Sequence, residues 1–296
     1  MTLVSSRNRI FVLVAFCSLF FTQLPNPHKL GAEPPTTLAL PASEEGLALY
    51  RQWKPITDYL SQASGVTLQL EMVADHNAIR EGLATNLYDL AFVDPRWYVI
   101  LAEGGLCIPL ARPVLMGRDT FRSLLIVHRD SIIRSIGDLE TATIALTGSL
   151  ESALGYYIPL ALLEANGLGM SSTSVTILIS DTFLSILKGV AYGKLEAGFV
   201  SSAVLDDGDN SLLREQVRVI WESEAIPQWT VVARAGLRQS TIASVLQALL
   251  DMGKSEAGRS ALQPSSFSAF VQTSESDYAP VRRYLKAVGD GVAAPE

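Results

Sequence analysis

The amino-acid sequence predicts an α/β protein made of two lobes, with mainly parallel sheets and a hinge between the lobes. Apolar runs with the two-residue period of a strand alternate with runs at helical spacing, and the β-α-β order occurs twice in succession. The chain has 296 residues, of which 48% are hydrophobic and 18% are charged. This composition is typical of a globular protein, and the length suffices for two cores of roughly 100–150 residues each.

The first α/β unit lies between residues 37 and 93. Leu49, Trp53 and Ile56 recur at helical spacing, and Gly65 follows them in the position where helices commonly end. Alternating and continuous apolar runs on either side of the helices predict strands. The predicted elements are strand 37–40, helix 49–63, strand 66–73, helix 77–85 and strand 88–93.

The second α/β unit starts at Phe121 and repeats the pattern. Gly167 closes one of its helices and Gly193 closes another. After this unit come further strands and helices that form no third unit. The predicted elements are strand 121–128, turn 136–139, strand 143–146, helix 152–165, strand 175–179, helix 182–192, strand 196–200, loop 206–210, strands 217–221 and 229–233, and helices 241–253 and 278–288.

These elements predict a discontinuous first lobe with a second lobe inserted into it. The first lobe is expected to contain residues 33–120 and 225–296, and the second lobe residues 121–224. Two crossing segments, near 119–123 and 222–232, form the expected hinge. Ligands of parallel-sheet proteins bind at the carboxyl ends of strands, so two such edges facing each other predict a binding cleft.

Residues 1–32 are predicted to be a secretory signal peptide. Arg7 and Arg9 precede an apolar run at 10–24, which is shorter than the roughly 20 residues of a membrane-spanning helix. The small pair that begins at Gly31 offers a cleavage point, and an uncleaved anchor is the alternative. Cleavage predicts a periplasmic or otherwise extracytoplasmic protein.

Charge and residue counts exclude several classes of protein. The net charge of −7 argues against a nucleic-acid partner. Two cysteines and three histidines exclude a multi-cysteine zinc site and a disulfide-stapled scaffold. Cys107 lies in an apolar run and is predicted to be a buried hydrophobic residue rather than a reactive thiol. The metalloprotease and serine-hydrolase motifs do not occur, and we expect no catalytic residues, no metal and no cofactor.

Several short motifs occur in a consistent order over residues 37–285. They include Tyr88-Asp89-Leu90-Ala91-Phe92, Gly155-Tyr156-Tyr157-Ile158-Pro159 and Asp277-Tyr278-Ala279-Pro280-Val281-Arg282. In this order they resemble the phosphate/phosphite/phosphonate-binding proteins, which are soluble components of ABC importers. The resemblance implies the type II periplasmic binding protein fold, a small-molecule ligand and a membrane permease as partner.

The resemblance also implies a ligand site at the start of a helix. The family carries Ser-Thr-Ser where this chain has Ser152, Ala153 and Leu154, so that only the first hydroxyl remains. The family holds an oxyanion there through free backbone N–H groups and hydroxyls. The candidate ligand-binding residues in this chain are His76, Ser123, Ser149, Ser152, Asp181 and Ser201.

Most of these candidates also have a purely structural explanation. His76 is either a ligand residue or a surface or capping residue, and Ser123 is either a pocket hydroxyl or an ordinary strand residue. Ser149 and Ser152 lie three residues apart at a helix start, where capping accounts for one of them. Asp181 has the spacing of an N-cap for the helix that follows, and this explanation is preferred.

Four further positions bear on the cleft. Ser201 stands where some family members have an acidic residue that meets a ligand amine, and Asp94 stands in place of the glycine of a Phe-Gly-Pro turn. Asp94-Pro95 could form only a turn. Trp97 and Tyr98 could line the cleft or pack in the core.

The expected function is capture of a small oxyanion or polar metabolite by closure of the two lobes. Loss of two hydroxyls predicts poor binding of aminoalkyl phosphonates and a less charged or bulkier ligand, with Leu154 as an apolar wall. We expect a monomer that delivers this ligand to the permease of an ABC importer. The chief alternative is an extracytoplasmic sensor or accessory protein, and a more distant one is an enzyme on the same fold.

Overall fold

The strands form two mixed sheets and a short two-stranded ribbon. The computed structural model describes residues 34–42, 46–147 and 152–288. Its strands are β1 (Thr36–Pro41), β2 (Leu68–Val73), β3 (Leu90–Val93), β4 (Cys107–Leu115), β5 (Thr120–Phe121), β6 (Ser123–His128), β7 (Thr143–Thr147), β8 (Thr176–Ser180), β9 (Ala197–Ser201), β10 (Val217–Glu222), β11 (Ile226–Pro227), β12 (Thr230–Arg234) and β13 (Phe267–Gln272).

Helices follow many of the strands. A π-helical turn at Ala153–Tyr157 runs directly into α4, and 3₁₀ turns lie at Ile136–Leu139, Gly208–Asn210, Met252–Lys254, Gln263–Ser265 and Glu275–Tyr278. The α-helices are α1 (Gly46–Ser64), α2 (His76–Ala84), α3 (Pro95–Glu103), α4 (Ile158–Ala165), α5 (Phe183–Ala191), α6 (Ser202–Asp206), α7 (Ser211–Arg214), α8 (Gln239–Asp251), α9 (Glu256–Leu262) and α10 (Ala279–Val288).

The first sheet has the strand order β13-β4-β12-β3-β1-β2. Strand β1 pairs in parallel with β2 and β3, whereas β12 pairs antiparallel with β3 and β4, and β13 pairs antiparallel with β4. The sheet therefore combines strands that precede residue 116 with strands that follow residue 229, so the chain leaves this sheet and returns to it.

The second sheet has the strand order β10-β6-β9-β7-β8. Strand β7 pairs in parallel with β8 and β9, and β6 pairs antiparallel with β9 and β10. Helix α5 packs closely on this sheet, because a Cβ on Gly198 would lie only 2.3 Å from Cγ2 of Ile186. All five strands come from the stretch between Ser123 and Glu222, which separates the two parts of the first sheet.

The two segments that connect the sheets pair with each other. Strands β5 and β11 are antiparallel and place Phe121 opposite Ile226. The backbone N–H of Gln228 donates to the carbonyl oxygen of Asp119 at 3.0 Å. We call the pair β5 and β11 the crossing ribbon. It coincides with the two crossing segments that the sequence predicts.

Helix α1 shows how the sequence pattern produces the core. Its side chains at Trp53, Ile56 and Leu60 recur at helical spacing and are at most 1% exposed. Trp53 packs on Phe92 of the first sheet, with ring centroids 4.4 Å apart. The helix is followed by Gly65 at a φ of 69°, a left-handed conformation that favours glycine.

The predicted alternation of strands and helices is confirmed, but the sheets are mixed rather than mainly parallel. In the first sheet, β4, β12 and β13 all run antiparallel to a neighbour. In the second sheet, β6 and β10 do so. The parallel pairs are those of the two α/β units themselves, and the returning strands add the antiparallel edges.

The elements that were not predicted from the sequence include α3, β4, α6, α7, β11, α9 and β13. For α3, the dipeptide Asp94-Pro95 suggested only a turn, whereas Asp94 is the N-cap and Pro95 occupies the first helical position, where proline is well tolerated. Trp97 and Tyr98 on this helix are buried. The predicted loop at 206–210 is wrong in part, because it contains a 3₁₀ turn that leads into α7.

Two predictions from the sequence have different outcomes. Cys107 is a buried free cysteine, as predicted, and burial raises its pKa to about 12, so the unreactive thiol form predominates. The predicted signal peptide lies outside the described residues. Within the described residues, the helices are too short or too polar to cross a bilayer.

Candidate functional site

A cavity of about 220 Å³ lies among helix starts and loops that adjoin strands of the two sheets. Its walls come from the starts of four helical segments, namely α3, the π-helical turn before α4, α5 and α6, and from the crossing ribbon and the residues after it. In α/β proteins, the helix that follows a strand starts near the carboxyl end of that strand, where ligands commonly bind. The lining residues are Asp94, Pro95, Phe121, Ser152, Ala153, Leu154, Phe183, Ser201, Ala203, Val204, Pro227, Gln228 and Trp229.

Ser152 caps a helical segment and lines the cavity, and its predicted ligand role stays a prediction. Its Oγ accepts a hydrogen bond from the N–H of Gly155 at 3.1 Å, so the side chain caps the helical segment that starts at Ala153. The residue also lines the cavity, together with Leu154. The sequence predicts Leu154 to be an apolar wall for the ligand, and this role stays a prediction.

Asp94 links the two sides of the cavity. Its Oδ1 accepts a hydrogen bond from the N–H of Arg96 at 2.8 Å, and its Oδ2 accepts one from the N–H of Ala153 at 3.3 Å. The side chain is almost completely buried. Burial raises the pKa of Asp94 to about 6, although the two N–H groups favour the ionised form.

His76 lies behind the wall of the cavity. It is the first residue of α2, is 1% exposed and stacks on Trp97 at 5.2 Å between ring centroids. Its ring also contacts Trp229, a lining residue, at 5.5 Å. The backbone N–H of Asp94 points to Nε2 of His76 at 3.5 Å. His76 is therefore neither a surface residue nor a lining residue, and it supports both Trp229 and Asp94.

Ser201 and Ser123 are partners across two neighbouring strands of the second sheet. Ser201 lines the cavity and caps α6, where its Oγ accepts from the N–H of Ala203 at 3.3 Å. Ser123 is fully buried and does not line the cavity, and its Oγ has no hydrogen-bond partner within the described part of the chain. The backbone N–H of Ser123 donates to Oγ of Ser223 at 2.9 Å.

The two remaining candidates do not join this group. Asp181 is exposed and lies outside the cavity wall, and its predicted capping role is wrong because Thr182 is the N-cap of α5. The Oγ1 of Thr182 accepts from the N–H of Ser185 at 3.1 Å. Ser149 lies outside the described residues.

Several lining residues were not predicted as site residues. They are the aromatic side chains of Phe121, Phe183 and Trp229 and the amide of Gln228. The only available signal was position, because Phe121 and Trp229 fall in or beside the predicted crossing segments. Phe183 follows a predicted helix start, and nothing in its local pattern separates it from a core residue.

A larger cavity of about 560 Å³ borders the second sheet. Its polar wall contains Asp206, which pairs with Arg118 at 3.1 Å and with Arg214 at 3.7 Å. Size alone does not select it as the ligand site, because its walls lack Asp94 and the start of the helical segment at Ala153. We therefore assign the candidate ligand site to the smaller cavity.

The chain passes from one sheet to the other and back through two paired segments, and a cavity lies at the helix starts beside both sheets. These features are those of the two-lobed type II periplasmic binding protein fold, the fold of a class of solute-binding proteins. Within this class, the chain belongs to the family described as ABC transporter, phosphonate, periplasmic substrate-binding protein. The family model matches residues 38–278.

The chain is also similar to individual proteins of known sequence or structure. The chain is 24% identical over 292 residues to the phosphonates-binding periplasmic protein of Escherichia coli (strain K12), covering 93% of this chain and 83% of that protein. Among solved structures, it is similar to XAC2383 from Xanthomonas citri bound to chloride ion, with a TM-score of 0.72, 20% identity, and 86% and 96% of the two chains covered. It is also similar to PhnD1 from Prochlorococcus marinus in complex with methylphosphonate, with a TM-score of 0.64, 15% identity, and 84% and 96% covered.

Proposed function

We propose that this chain is an exported solute-binding protein that captures a small polar molecule in the cavity and delivers it to the membrane permease of an ABC importer. The observation that carries the proposal is the composition of the cavity wall. Residues beside strands of the first sheet and residues of the second sheet and its helix starts line it, so a bound molecule would contact both sides. A ligand held in this way favours the conformation in which the two sides are close together.

The proposed moving parts are the lobes at 33–120 plus 225–296 and at 121–224. The strand order supports this division. The strands of the first sheet come from residues 33–120 and 225–296, and those of the second sheet come from residues 121–224. The crossing ribbon connects the lobes and would serve as the hinge. Closure buries the ligand and presents a new surface to the permease.

The proposed ligand is less charged or bulkier than an aminoalkyl phosphonate. No lysine or arginine is among the described residues that line the cavity, and Phe121, Leu154 and Phe183 supply apolar surface. Hydrogen-bonding groups are available at Ser152 and Ser201. A ligand with a small polar group and an apolar body matches this wall, because each buried polar group then has a partner.

The proposed export relies on cleavage of residues 1–32. N-terminal sequencing of protein from the envelope fraction is expected to start near Glu33. Full-length chain in the cytosolic fraction would contradict export.

Native mass spectrometry of protein purified from the envelope fraction tests the binding function. We expect one small molecule to co-purify in a 1:1 complex, and X-ray scattering to show a larger radius of gyration after the molecule is removed. Ser201→Ala is expected to reduce its retention, whereas the control Ser268→Ala, at an exposed position of β13, leaves retention unchanged.

Three results would change the proposal. Ligand turnover on incubation would indicate an enzyme. Binding and closure without any stimulation of the purified permease would favour the alternative of an extracytoplasmic sensor on the same scaffold. Equal retention in Ser201→Ala and Ser268→Ala would contradict the assignment of the cavity.

A further inference from the structure

A single carboxylate joins two helix starts across the cavity. Asp94 caps α3 through the N–H of Arg96 and also accepts from the N–H of Ala153. Ala153 is the first residue of a helical run that continues to Ala165. The contact therefore connects the helix that follows β3 of the first sheet with a helix of the second sheet.

Helix starts attract anions because their first N–H groups lack partners within the helix and the helix dipole is positive there. An oxyanion bound between α3 and the helical segment at Ala153 would take the N–H groups that Asp94 holds. Asp94 is 3% exposed and in hydrogen-bond contact with both helices. An anion that belongs to the chain thus fills the position that a bound oxyanion would need.

A buried hydroxyl beside the same helix start provides a second observation. Thr147 is 4% exposed, and its Oγ1 has no hydrogen-bond partner among the described residues. The hydroxyl lies against the first helical turn, because a Cβ on Gly155 would be 1.9 Å from it. An unpartnered buried hydroxyl beside a helix start indicates a place suited to a hydrogen-bonding acceptor.

The charge of the cavity wall also disfavours a bound anion. Asp94 is the charged side chain among the described lining residues, and the rest are apolar or carry hydroxyl or amide groups. With a pKa of about 6, raised by burial, it is mostly ionised at neutral pH. The charged or titratable groups that act on it are His76 of α2 and Arg96 of α3. A phosphonate placed in the cavity would meet this negative charge at short range.

We propose that Asp94 is a specificity-determining residue that replaces a ligand oxyanion at the helix start, so that the cavity selects ligands with a neutral or positively charged end. A small amine that donates hydrogen bonds to Asp94 is the simplest ligand of this class. Phe121, Phe183 and Trp229 line the rest of the wall, and aromatic rings bind both apolar groups and organic cations. The inference rests on the proposed function, because it takes this cavity as the ligand site.

Ethylamine and ethylphosphonate are suitable probes because they share an apolar body and carry opposite charges. By calorimetry at neutral pH, the wild-type mature chain is expected to bind ethylamine about tenfold or more tightly than ethylphosphonate, since one hydrogen bond to a charged group is worth at least that factor. Asp94→Asn keeps the shape and removes the charge. This variant is expected to shift the ratio toward ethylphosphonate by about tenfold or more.

Asp206→Asn is the matched control. It removes a carboxylate paired with Arg118 outside the cavity wall and should leave the ratio unchanged. Asp94→Ala opens the helix start further and is expected to gain ethylphosphonate binding, and circular dichroism checks that each variant is folded. If Asp94→Ala does not fold, the nearly isosteric Asp94→Asn decides.

Gain of ethylphosphonate binding in Asp94→Asn supports the proposal even if wild type binds neither probe. Tighter wild-type binding of ethylphosphonate than of ethylamine would overturn it while supporting solute binding. An unchanged ratio in Asp94→Asn, or the absence of binding in every variant, would also overturn it. The co-purified molecule tests the proposed function independently of these probes.

Discussion

Asp94 and Asp277 are both acidic residues, and their surroundings differ sharply. Asp277 meets the guanidinium of Arg112 at 2.7 Å, and the same arginine binds Asp119 at 2.6 Å. Asp94 instead accepts backbone N–H groups at the edge of the cavity. Partial burial raises the pKa of Asp277, but hydrogen bonds from Ser274 and Arg112 outweigh it and hold that pKa below its ordinary value.

The difference separates a carboxylate that stabilises the fold from one that lines the candidate ligand site. Around Arg112, opposite charges balance one another and tie β4 to the segment before α10. Around Asp94, burial outweighs the hydrogen bonds, so the ionised form carries a cost in the folded state. Ionisable groups with such shifts are common at functional sites, where a ligand can supply the missing partner.

The largest expected effect is that of Arg112→Met. The substitution leaves Asp119 and Asp277, each with a side chain that is 35% exposed, without their shared counter-ion. It should lower the free energy of unfolding by about 2–4 kcal/mol, less than for a fully buried pair, measured by urea denaturation. Arg134→Met, at an exposed position, is the control and should change it by less than about 0.5 kcal/mol. A cost for Arg112→Met no greater than that of the control would remove the contrast between the two carboxylates.

The pH dependence of Asp94→Asn sharpens the same contrast. A carboxyl whose folded pKa is raised binds its proton more tightly in the folded state, so the free energy of unfolding falls as pH rises from the unfolded pKa toward 6. For Asp94 this fall amounts to at most about 3 kcal/mol between pH 4 and pH 6. We expect Asp94→Asn to abolish this part of the pH profile, as followed by urea denaturation at each pH.

Asp277→Asn provides the opposite sign. Because the folded pKa of Asp277 is lowered, its contribution to stability is present above the unfolded pKa and disappears as pH falls through the folded pKa. The wild-type protein should thus lose this contribution in acid, and the variant should not. Parallel pH profiles for Asp94→Asn and Asp277→Asn would show that the two carboxylates do not differ as described.

Ser223 and Ser123 show a similar contrast between a side chain with hydrogen-bond partners and one without them among the described residues, with smaller expected effects on stability. The Oγ of Ser223 accepts from the N–H of Ser123 and donates to the carbonyl of Glu224 at 2.7 Å. Ser223→Ala leaves that buried N–H without its acceptor and should cost about 1–3 kcal/mol of unfolding free energy. A cost below about 0.5 kcal/mol in thermal or urea unfolding would mean that the hydrogen bond is replaced.

Ser123→Ala has the smallest expected effect. Its hydroxyl is buried and has no partner among the residues that the structure describes, so removal should leave the free energy of unfolding unchanged within about 0.5 kcal/mol or raise it. The variant also tests the ligand role predicted from the sequence, which stays a prediction. Unchanged affinity for the co-purified molecule would assign Ser123 to the strand alone.

Local sequence patterns predicted many of the helices and strands. They did not predict the order and direction of the strands in the sheets. Glycines at Gly65 and Gly193 end helices in left-handed conformations, as their positions after helical patterns suggest. The strands β6, β10 and β12 were predicted, but their antiparallel direction was not, because a strand's direction depends on where the chain returns, which no local period records. Helix α3 was missed because Asp94-Pro95 is equally suited to a turn and to a helix start.

The candidate site was predicted only in part for the same reason. Both Ser152 and Ser201 line the cavity. Ser152 was a candidate because a hydroxyl at a helix start is visible in the sequence, and Ser201 was a candidate through the family resemblance. The aromatic residues Phe121, Phe183 and Trp229 come from distant segments, and their local patterns are those of ordinary core residues. Their convergence depends on tertiary packing and could not be inferred from spacing.

The crossing ribbon has a mechanical consequence for the proposed closure. Two independent connections would let the lobes twist, slide and bend separately. Because β5 and β11 are hydrogen-bonded to each other, they must deform together, which leaves bending about a single axis as the soft motion. The open state then samples few orientations, and a ligand that closes the protein loses less conformational entropy than it would with two free tethers.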